Sequence, residues 1–575
     1  MGWAADRGRL YGLVFRELGR SLVTGARRVA RGPGWRVPRP QRLLFAPQDL
    51  RTSDPTMAQD IYAGVFVLAG RVVEVRGRSP FDVATSAPPD WAASFYGFDW
   101  LRHLRAADTP LARDHARILV SEALGARRAD LRRGIARETG VVARRLISFL
   151  CQSPLVLNGA DHGFYARFLQ AVGVAVATLE RDVIGSRRPA DRLGAAVALS
   201  YAALCCSGFE NRLKRATRLL SVELDRQILP DGGHVSRHPG LLVELLLDLL
   251  PLRLVYASRG LDTPDALRRA IDRMMPMLRY LRHPDGEIAL FNGMNATAID
   301  HVATLLSYDT VRGTPPSYAE QSGYARLSAG DTIVLADTGA VPPLAASGAA
   351  HAGCLSFEMS ADGGRLVVNV GASPAATASG VACRDTAAHS VLGFGAISSA
   401  VPLERRGDPI ARWLADRLGR VLLPGPRSVA VERGQDGDGW ATLAARHDGY
   451  QPRLPVTHER RWALRPDGAR LDGEDLVAVA GSAGTLPERT VRFHLHPSVS
   501  ASLRPDGAIQ LDRAGREPWI FAGAGGRLAI EDSLYLGGAA GWRPTKQIVL
   551  RPDGPADAPI RWHFERIEPD PVPTI

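Results

Sequence analysis

The sequence predicts an α+β chain in which a helical half precedes a half of antiparallel strands. The chain has 575 residues, 45% of them hydrophobic, which is too long for one core and sufficient for two or three. Apolar residues recur every three or four positions up to about residue 306, and every second position from about residue 317 onward. The period therefore changes once, near Ser317, and divides the chain in two.

The first half, from about Met57 to Leu306, shows nearly continuous helical periodicity. The predicted helices cover residues 91–106, 111–128, 132–151, 162–183, 188–206, 210–228, 239–258, 264–283 and 294–306. Short breaks rich in Ser, Pro and Gly separate them, so neighbouring helices should be antiparallel. Periodicity alone leaves a bundle, a solenoid and a toroid open.

The second half consists of short alternating runs separated by Gly, Asp and Pro turns. Three of these turns share the sequence RPDG, at residues 465–468, 504–507 and 551–554. Residues 317–575 therefore predict a large antiparallel sandwich or barrel.

Residues 1–56 are predicted to form a basic, flexible N-terminal arm. Residues 25–42 are rich in Arg, Pro and Gly, and the turns before them carry apolar residues interrupted by Arg16, Glu17 and Arg20. An interrupted run of this kind does not resemble a signal peptide. The arm could touch an anionic membrane surface, although we prefer a disordered leader.

Composition excludes several classes of protein. The net charge is +11, but the basic residues are almost all Arg and are not interleaved with aromatics along one stripe, so we expect no nucleic-acid partner. An acidic substrate agrees with this charge. Five Cys without a CxxC pair indicate small buried hydrophobes rather than a disulfide framework. We expect no transmembrane segment and slightly favour the cytoplasm over the periplasm.

Six motifs follow one another along the chain. They are SPLVLNGADHGFY (153–165), LPDGGHVSRHP (229–239), PDGEIALFNGMN (284–295), HAGCLSFE (351–358), RDTAAH (384–389) and FHLHP (493–497). As an ordered set they resemble the motifs of the heparinase II/III-like polysaccharide lyases. The resemblance covers most of residues 57–570. It implies an α/α toroid over residues 57–316, followed by an antiparallel β-sandwich over residues 317–575.

The resemblance also implies a chemistry. Such lyases remove the proton at C5 of a uronate and expel the group at C4, which requires a donor to the carboxylate, a base and an acid. The catalytic candidates are His234, His238, Tyr280 and His351. The substrate-binding candidates are Arg237, Asn292, Asn295, Arg384 and His389. Histidines beside Pro and Gly are also common in ordinary surface loops.

The motifs depart from the family pattern at the family's acid/base His and at its zinc site. Aligned on Ser356-Phe357-Glu358, the family's first His falls on Ala349 and its Asp on Gly353. The family's zinc carboxylate corresponds to Asn369. His351 and His389 alone provide too few ligands for a closed tetrahedral site, so we expect no cofactor and a degraded zinc site.

Two functions therefore remain open. The first is a lyase that cleaves an acidic, uronate-containing polysaccharide or oligosaccharide by β-elimination, and this is the preferred prediction. The second is a non-catalytic relative that binds a glycan or takes part in envelope or capsule assembly. The loop around His234 favours the lyase, and the residues at positions 349 and 353 favour the second function.

Overall fold

The computed structural model changes architecture where the sequence period changes. It describes residues 10–19, 21–22, 25, 37–125, 133–309, 318–373, 382–403, 408–419, 421–422, 425–451, 453–480 and 486–567. Helices fill most of the described chain up to Ser307, and strands fill most of it from Tyr318 onward. The predicted order, a helical half followed by an antiparallel β half, is confirmed.

The helical half is built from helices of very different lengths. They are α2 (Met57–Tyr62), α3 (Pro80–Ala84), α4 (Pro89–Gly97), α5 (Leu101–Ala107), α6 (Pro110–Leu124), α7 (Thr139–Cys151), α8 (Ser153–Leu157), α9 (His162–Asp182), α10 (Pro189–Cys205), α11 (Glu210–Gln227), α12 (Pro239–Ser258), α13 (Asp265–Tyr280) and α14 (Ile299–Ser307). Polar caps fix several starts. The Thr109 hydroxyl accepts a hydrogen bond from the Ala112 amide at 3.1 Å, and Asp161 accepts one from Phe164 at 2.7 Å.

Short strands also occur among the helices, which periodicity did not predict. The strands β2 (Val65–Leu68) and β3 (Arg71–Glu74) form a hairpin. The strand β1 (Arg42–Leu43) pairs with β4 (Cys206–Ser207) and ties the N-terminal segment to the end of α10. Among the described residues, no helix is both long and apolar enough to cross a membrane.

The β half contains two large antiparallel sheets. The strands are β5 (Tyr318–Ala319), β6 (Tyr324–Ala329), β7 (Thr332–Asp337), β8 (Phe357–Ala361), β9 (Gly364–Val368), β10 (Leu392–Phe394), β11 (Val429–Gln435), β12 (Ala441–His447), β13 (Val456–Leu464), β14 (Arg470–Val479), β15 (Arg489–Leu495), β16 (Ser500–Leu503), β17 (Ile509–Asp512), β18 (Trp519–Ala524), β19 (Gly526–Tyr535), β20 (Arg543–Pro552) and β21 (Ile560–Arg566). One sheet has the order β19-β20-β15-β9-β8-β7-β6-β5, with β10 also on β15. The other has the order β11-β12-β13-β14-β21-β18-β17-β16.

The two sheets enclose a common apolar core. Alternate side chains from both, including Phe357, Trp462, Phe493 and Trp562, form one buried cluster. At the edge of the core, the RPDG turn at 465–468 needs its glycine because Gly468 has φ +77°. The predicted sandwich is confirmed, and its strands do not close into a barrel.

The prediction of a flexible arm over residues 1–56 is wrong for most of the described part. Residues 10–19 form the helix α1, whose Leu10 is buried against Leu403 and Leu414. Further along, Arg51 is buried and forms an ion pair of 2.8 Å with Asp248 of α12. Buried apolar and paired charged groups hold this segment against the body of the protein, and composition did not reveal them.

Helices are also not confined to the first half. The helix α15 (Pro409–Leu418) lies within the β half, and its buried Ala411 and Leu414 belong to the small cluster that receives α1. Ten residues are too few for the spacing of apolar residues to distinguish an amphipathic helix from a strand. The sequence therefore did not predict α15.

Candidate site between the helical and β halves

The loop between α11 and α12 carries most of the candidate residues from the helical half. It turns sharply at Gly232, which has φ +92° and where a Cβ would lie 2.0 Å from the Arg273 carbonyl oxygen. Only glycine fits this position. The next residue, Gly233, lies directly against the Ser322 side chain of the β half. The loop therefore meets the β half, as its sequence suggested.

His234 is buried on the helical side of this contact. Its Nε2 lies 2.9 Å from the Gln227 Oε1, and its Nδ1 lies 2.8 Å from the Ser236 hydroxyl. Burial lowers its pKa to about 3, with a smaller contribution from nearby His238. Both ring nitrogens are therefore engaged, and the ring is neutral at physiological pH.

His238 is the more accessible histidine of the loop. It is half-buried, and its Nδ1 accepts a hydrogen bond of 3.3 Å from the Gly240 amide at the start of α12. Burial lowers its pKa to about 4. Its Nε2 has no hydrogen-bond partner among the described residues, so this ring could still accept a proton.

Arg237, predicted to bind substrate, binds the β half instead. Its guanidinium donates to the carbonyls of Ser322 (2.6 Å), Gly323 (2.9 Å) and Ala340 (2.9 Å) and forms an ion pair with Asp337. It also lies over the Tyr324 ring at 4.9 Å. Its donors are therefore used by the protein itself.

Asn292 reaches the same cluster from the loop after α13. Its Nδ2 donates to the Tyr324 hydroxyl at 2.9 Å and to Asp337 at 3.0 Å, and its Oδ1 accepts the His351 amide at 3.3 Å. The residue is 2% exposed. It connects three elements of the interface and has no free donor for a ligand.

His351 and His389 form a buried pair on the β side. Their rings are joined by a contact of 3.2 Å between Nδ1 of His351 and Nε2 of His389, and His389 Nδ1 donates to the Asp385 carbonyl at 2.8 Å. Burial lowers the pKa of both rings, and for His351 the neighbouring His389 lowers it further. Like His238, His351 has an Nε2 without a hydrogen-bond partner among the described residues.

The positions that would complete a zinc site are used for packing. A Cβ on Gly353 would lie 2.6 Å from the His389 ring. Asn369 is fully buried, with its Oδ1 accepting the Ser390 amide at 3.0 Å. Within the described residues, no three His, Cys, Asp or Glu side chains converge as a metal site. The absence of zinc stays a prediction.

The remaining candidates lie at the margin of this cluster or outside it. Tyr280 is buried, and its hydroxyl donates to the Tyr324 carbonyl at 2.8 Å, while burial raises its pKa. Arg384 is buried and donates to the Ala350 carbonyl at 2.9 Å. Asn295 is exposed. The structure thus brings together His238, Arg237, Asn292, His351, His389 and Arg384, and places Tyr280 and Asn295 elsewhere.

Sequence reasoning missed the residues that hold the two halves together. Asp337 and Tyr324 bind both Arg237 and Asn292. Nearby, His283 at the end of α13 lies 3.1 Å from Glu358 of β8, and both side chains are fully buried. In the sequence, these residues are visible only as Tyr324 at the start of β6 and Asp337 at the end of β7. An aromatic or acidic residue at the end of a strand does not by itself distinguish a binding site from a core.

A small cavity beside Arg237 and His351 is lined also by Asp337, Cys354 and Pro426. Its accessible volume of about 10 Å³ holds about one water molecule. This cavity cannot take a sugar ring.

The comparisons with known proteins agree with this geometry. The family description "Heparinase II/III-like, C-terminal" matches residues 311–563. The chain is 30% identical over 558 residues to the FtsZ-localized protein C of Caulobacter vibrioides, covering 92% of each chain. The chain belongs to the heparinase II/III-like family.

Solved structures of heparinases share this family fold. A crystal structure of heparinase III matches with a TM-score of 0.68 at 11% identity, covering 98% of this chain and 91% of that one. The heparan sulfate lyase HepC from Pedobacter heparinus matches with a TM-score of 0.56 at 12% identity, covering 99% and 92%. At these identities the likeness establishes the fold alone.

Proposed function

We propose that this heparinase II/III-like protein is a non-catalytic binding protein that localises with FtsZ. The observation that supports the absence of catalysis is that the guanidinium and amide groups of Arg237 and Asn292 are bonded to the protein itself. Asn292 has no free donor for a uronate carboxylate, and Arg237 has four of its five N–H donors bonded to the protein. The similarity to an FtsZ-localized protein over nearly the whole chain supports the second part.

The chemistry of β-elimination supports the same conclusion. The lowered pKa values of His238 and His351 suit a base but leave no protonated ring to act as the acid. Tyr280 donates its hydroxyl proton to a backbone carbonyl, and so does Tyr324. A base without an acid and without a carboxylate clamp does not complete the reaction.

An assay for the unsaturated uronate product tests this proposal directly. We expect no increase in ultraviolet absorbance with heparan sulfate, heparin, chondroitin sulfate or alginate. We also expect co-sedimentation with FtsZ polymers, which His351→Ala leaves unchanged. Product formation that disappears in His351→Ala would establish a lyase instead. Saturable binding of an acidic glycan without product would place the glycan, rather than FtsZ, as the partner.

A second function, docking on an anionic membrane surface, follows from the N-terminal segment. Residues 1–42 contain ten Arg and two acidic residues, so they carry +8 of the net charge of +11. On α1 and the turn after it, Tyr11, Phe15, Leu18 and Leu22 are spaced along one helical face and are exposed. Phe15 and Leu22 are 73% and 75% exposed.

The opposite face of α1 is attached to the protein. Leu10 is buried, and Glu17 forms an ion pair of 2.9 Å with Arg187. A helix with one face anchored and an apolar face exposed, within an arginine-rich stretch of sequence, suits the interface of an anionic bilayer. Docking through α1 would place the whole molecule on a membrane surface without a spanning segment.

A further inference from the structure

A recess in the outer helices of the first half is unrelated to the site between the halves. It lies between α9, α10 and α11 and has an accessible volume of about 220 Å³. For comparison, an apolar cavity of about 150 Å³ takes up benzene. Its lining is mostly apolar and comprises Val176, Val183, Ile184, Leu199, Ala202, Ala203, Phe209, Ala216, Leu219 and Val222, together with the charged residues Glu180, Arg212, Arg215 and Arg218.

The recess exists because its floor is made of small side chains. Ala202 and Ala203 of α10 face Ala216 of α11, and all three are buried. Larger residues at these positions would close the gap between the helices, and an unfilled apolar gap forfeits packing energy. At the opening, Ile184 is 49% exposed and Val222 is 36% exposed. The apolar surface therefore continues from the floor to the solvent.

The mouth carries positive charge that no carboxylate among the described residues neutralises completely. Arg212 is paired with Glu180. Arg215 and Arg218 also line the mouth, and neither has a carboxylate within 4.0 Å among the described residues. An apolar recess below two unpaired guanidinium groups is complementary to an acyl chain with an anionic head.

We propose that this recess binds a single-chain carboxylate, a fatty acid of about ten to twelve carbons, with its head between Arg215 and Arg218. The walls are helices whose backbone groups are already hydrogen-bonded, so they offer nothing to the amides of a peptide. An acyl chain has no such groups to satisfy. The proposal does not depend on the function of the site between the halves.

Titration calorimetry of the full chain with dodecanoate tests the proposal. We expect one saturable site. Affinity should fall roughly tenfold when two methylenes are removed, because each buried methylene contributes a few-fold in affinity. Ala203→Leu fills the floor and should weaken binding at least tenfold, while its thermal unfolding stays close to that of the parent. Dodecanol, which lacks the charge, should bind several-fold more weakly.

Charge-reversal variants test whether the arginines at the mouth bind the carboxylate specifically or only through the overall charge of the protein. Arg218→Glu should weaken dodecanoate binding about tenfold, whereas Arg273→Glu, an identical charge change at an exposed residue of α13 outside the lining of the recess, should leave it unchanged. Equal effects of the two substitutions would overturn the proposal, and so would undiminished binding by a folded Ala203→Leu variant. If the protein bound a lysophosphatidylglycerol but not dodecanoate, the ligand would have a phospholipid head instead of a carboxylate, and the proposal would also be overturned.

Discussion

Arg237 shows at the scale of one residue how a family position changes its use. The loop motif made it a candidate for binding a substrate carboxylate. In the structure it binds three carbonyls and Asp337 of the other half. A guanidinium offers five donors in a fixed plane, so satisfying four acceptors leaves little for a ligand.

We therefore expect Arg237→Lys to act on stability rather than on binding. Lysine cannot reproduce the planar contacts and leaves Asp337 poorly paired, which should lower the free energy of unfolding by about 3 kcal/mol. Urea denaturation measures this change. Arg226→Lys, on the exposed end of α11, serves as the control and should cost less than about 0.5 kcal/mol. A loss of ligand binding at unchanged stability would restore the substrate-binding role.

His234 predicts how stability depends on pH. Its folded pKa of about 3 lies below the usual value near 6.5, so the unfolded chain takes up the proton first. The stabilising contribution is complete above about pH 6.5 and is lost as the pH falls toward about 3, by about 1.4 kcal/mol per unit. His238, His351 and His389 also have lowered pKa values, so denaturation between pH 7 and 4 should show a slope of more than one proton, which His234→Gln should reduce by one. An unchanged slope in that variant would contradict the assignment.

Gly353 allows a test of the prediction that the protein holds no zinc. An Asp at this position restores the family carboxylate, but its Cβ would strike the His389 ring. We expect Gly353→Asp to lower the free energy of unfolding by about 1–3 kcal/mol without retaining zinc. Elemental analysis of both proteins should find far less than one zinc per chain. Stoichiometric zinc in the parent protein would show that the site is intact.

At the scale of elements, α1 is the element whose structure amino-acid composition predicted least well. Its charge was visible in the sequence, but its attachment through Leu10 and Glu17 depends on partners far away in the chain, at Leu403 and Arg187. The division into a helical half and an antiparallel β half, in contrast, follows from periodicity that repeats over hundreds of residues. Long, regular patterns were predictable, while short segments stabilised by distant contacts were not.

The exposed face of α1 can be tested with vesicles. Phe15→Glu combined with Leu22→Glu should weaken binding to vesicles containing phosphatidylglycerol at least tenfold, because both apolar contacts are lost and negative charge is added. Leu111→Glu with Ile118→Glu, two exposed residues of α6 with the same spacing, is the matched control. Co-sedimentation measures both. Equal binding to neutral phosphatidylcholine vesicles would contradict an electrostatic surface contact.

At the scale of the whole molecule, the residues that the family motifs predicted as a site also form the interface. The motifs correctly indicated which segments meet, since residues 229–239, 284–295 and 351–358 all converge there. They could not indicate which partners each side chain has, because a buried His or Arg satisfied by the protein has the same sequence signature as one that binds a ligand. The fold was therefore more predictable than the chemistry.

This interface predicts that the two halves unfold together. Arg237–Asp337, His283–Glu358 and the pairing of Arg365 with Glu287 are buried or nearly buried contacts between the halves. Removing one partner from such a pair leaves an uncompensated buried charge, at a cost of about 3–5 kcal/mol. Neither half can separate without exposing several of these groups, so calorimetry of the full chain should show one transition.

Removing the buried ion pairs between the halves should split the single calorimetric unfolding transition into two. Asp337→Asn combined with His283→Gln removes no apolar core side chain and acts on hydrogen bonds between the halves, so we expect two resolved transitions. Glu474→Gln, which removes a carboxylate from ion pairs on the outer sheet face, is the control and should preserve a single transition. Two transitions already in the parent protein would mean that the interface does not couple the halves. In that case the buried pairs would orient the halves without contributing to a shared stability.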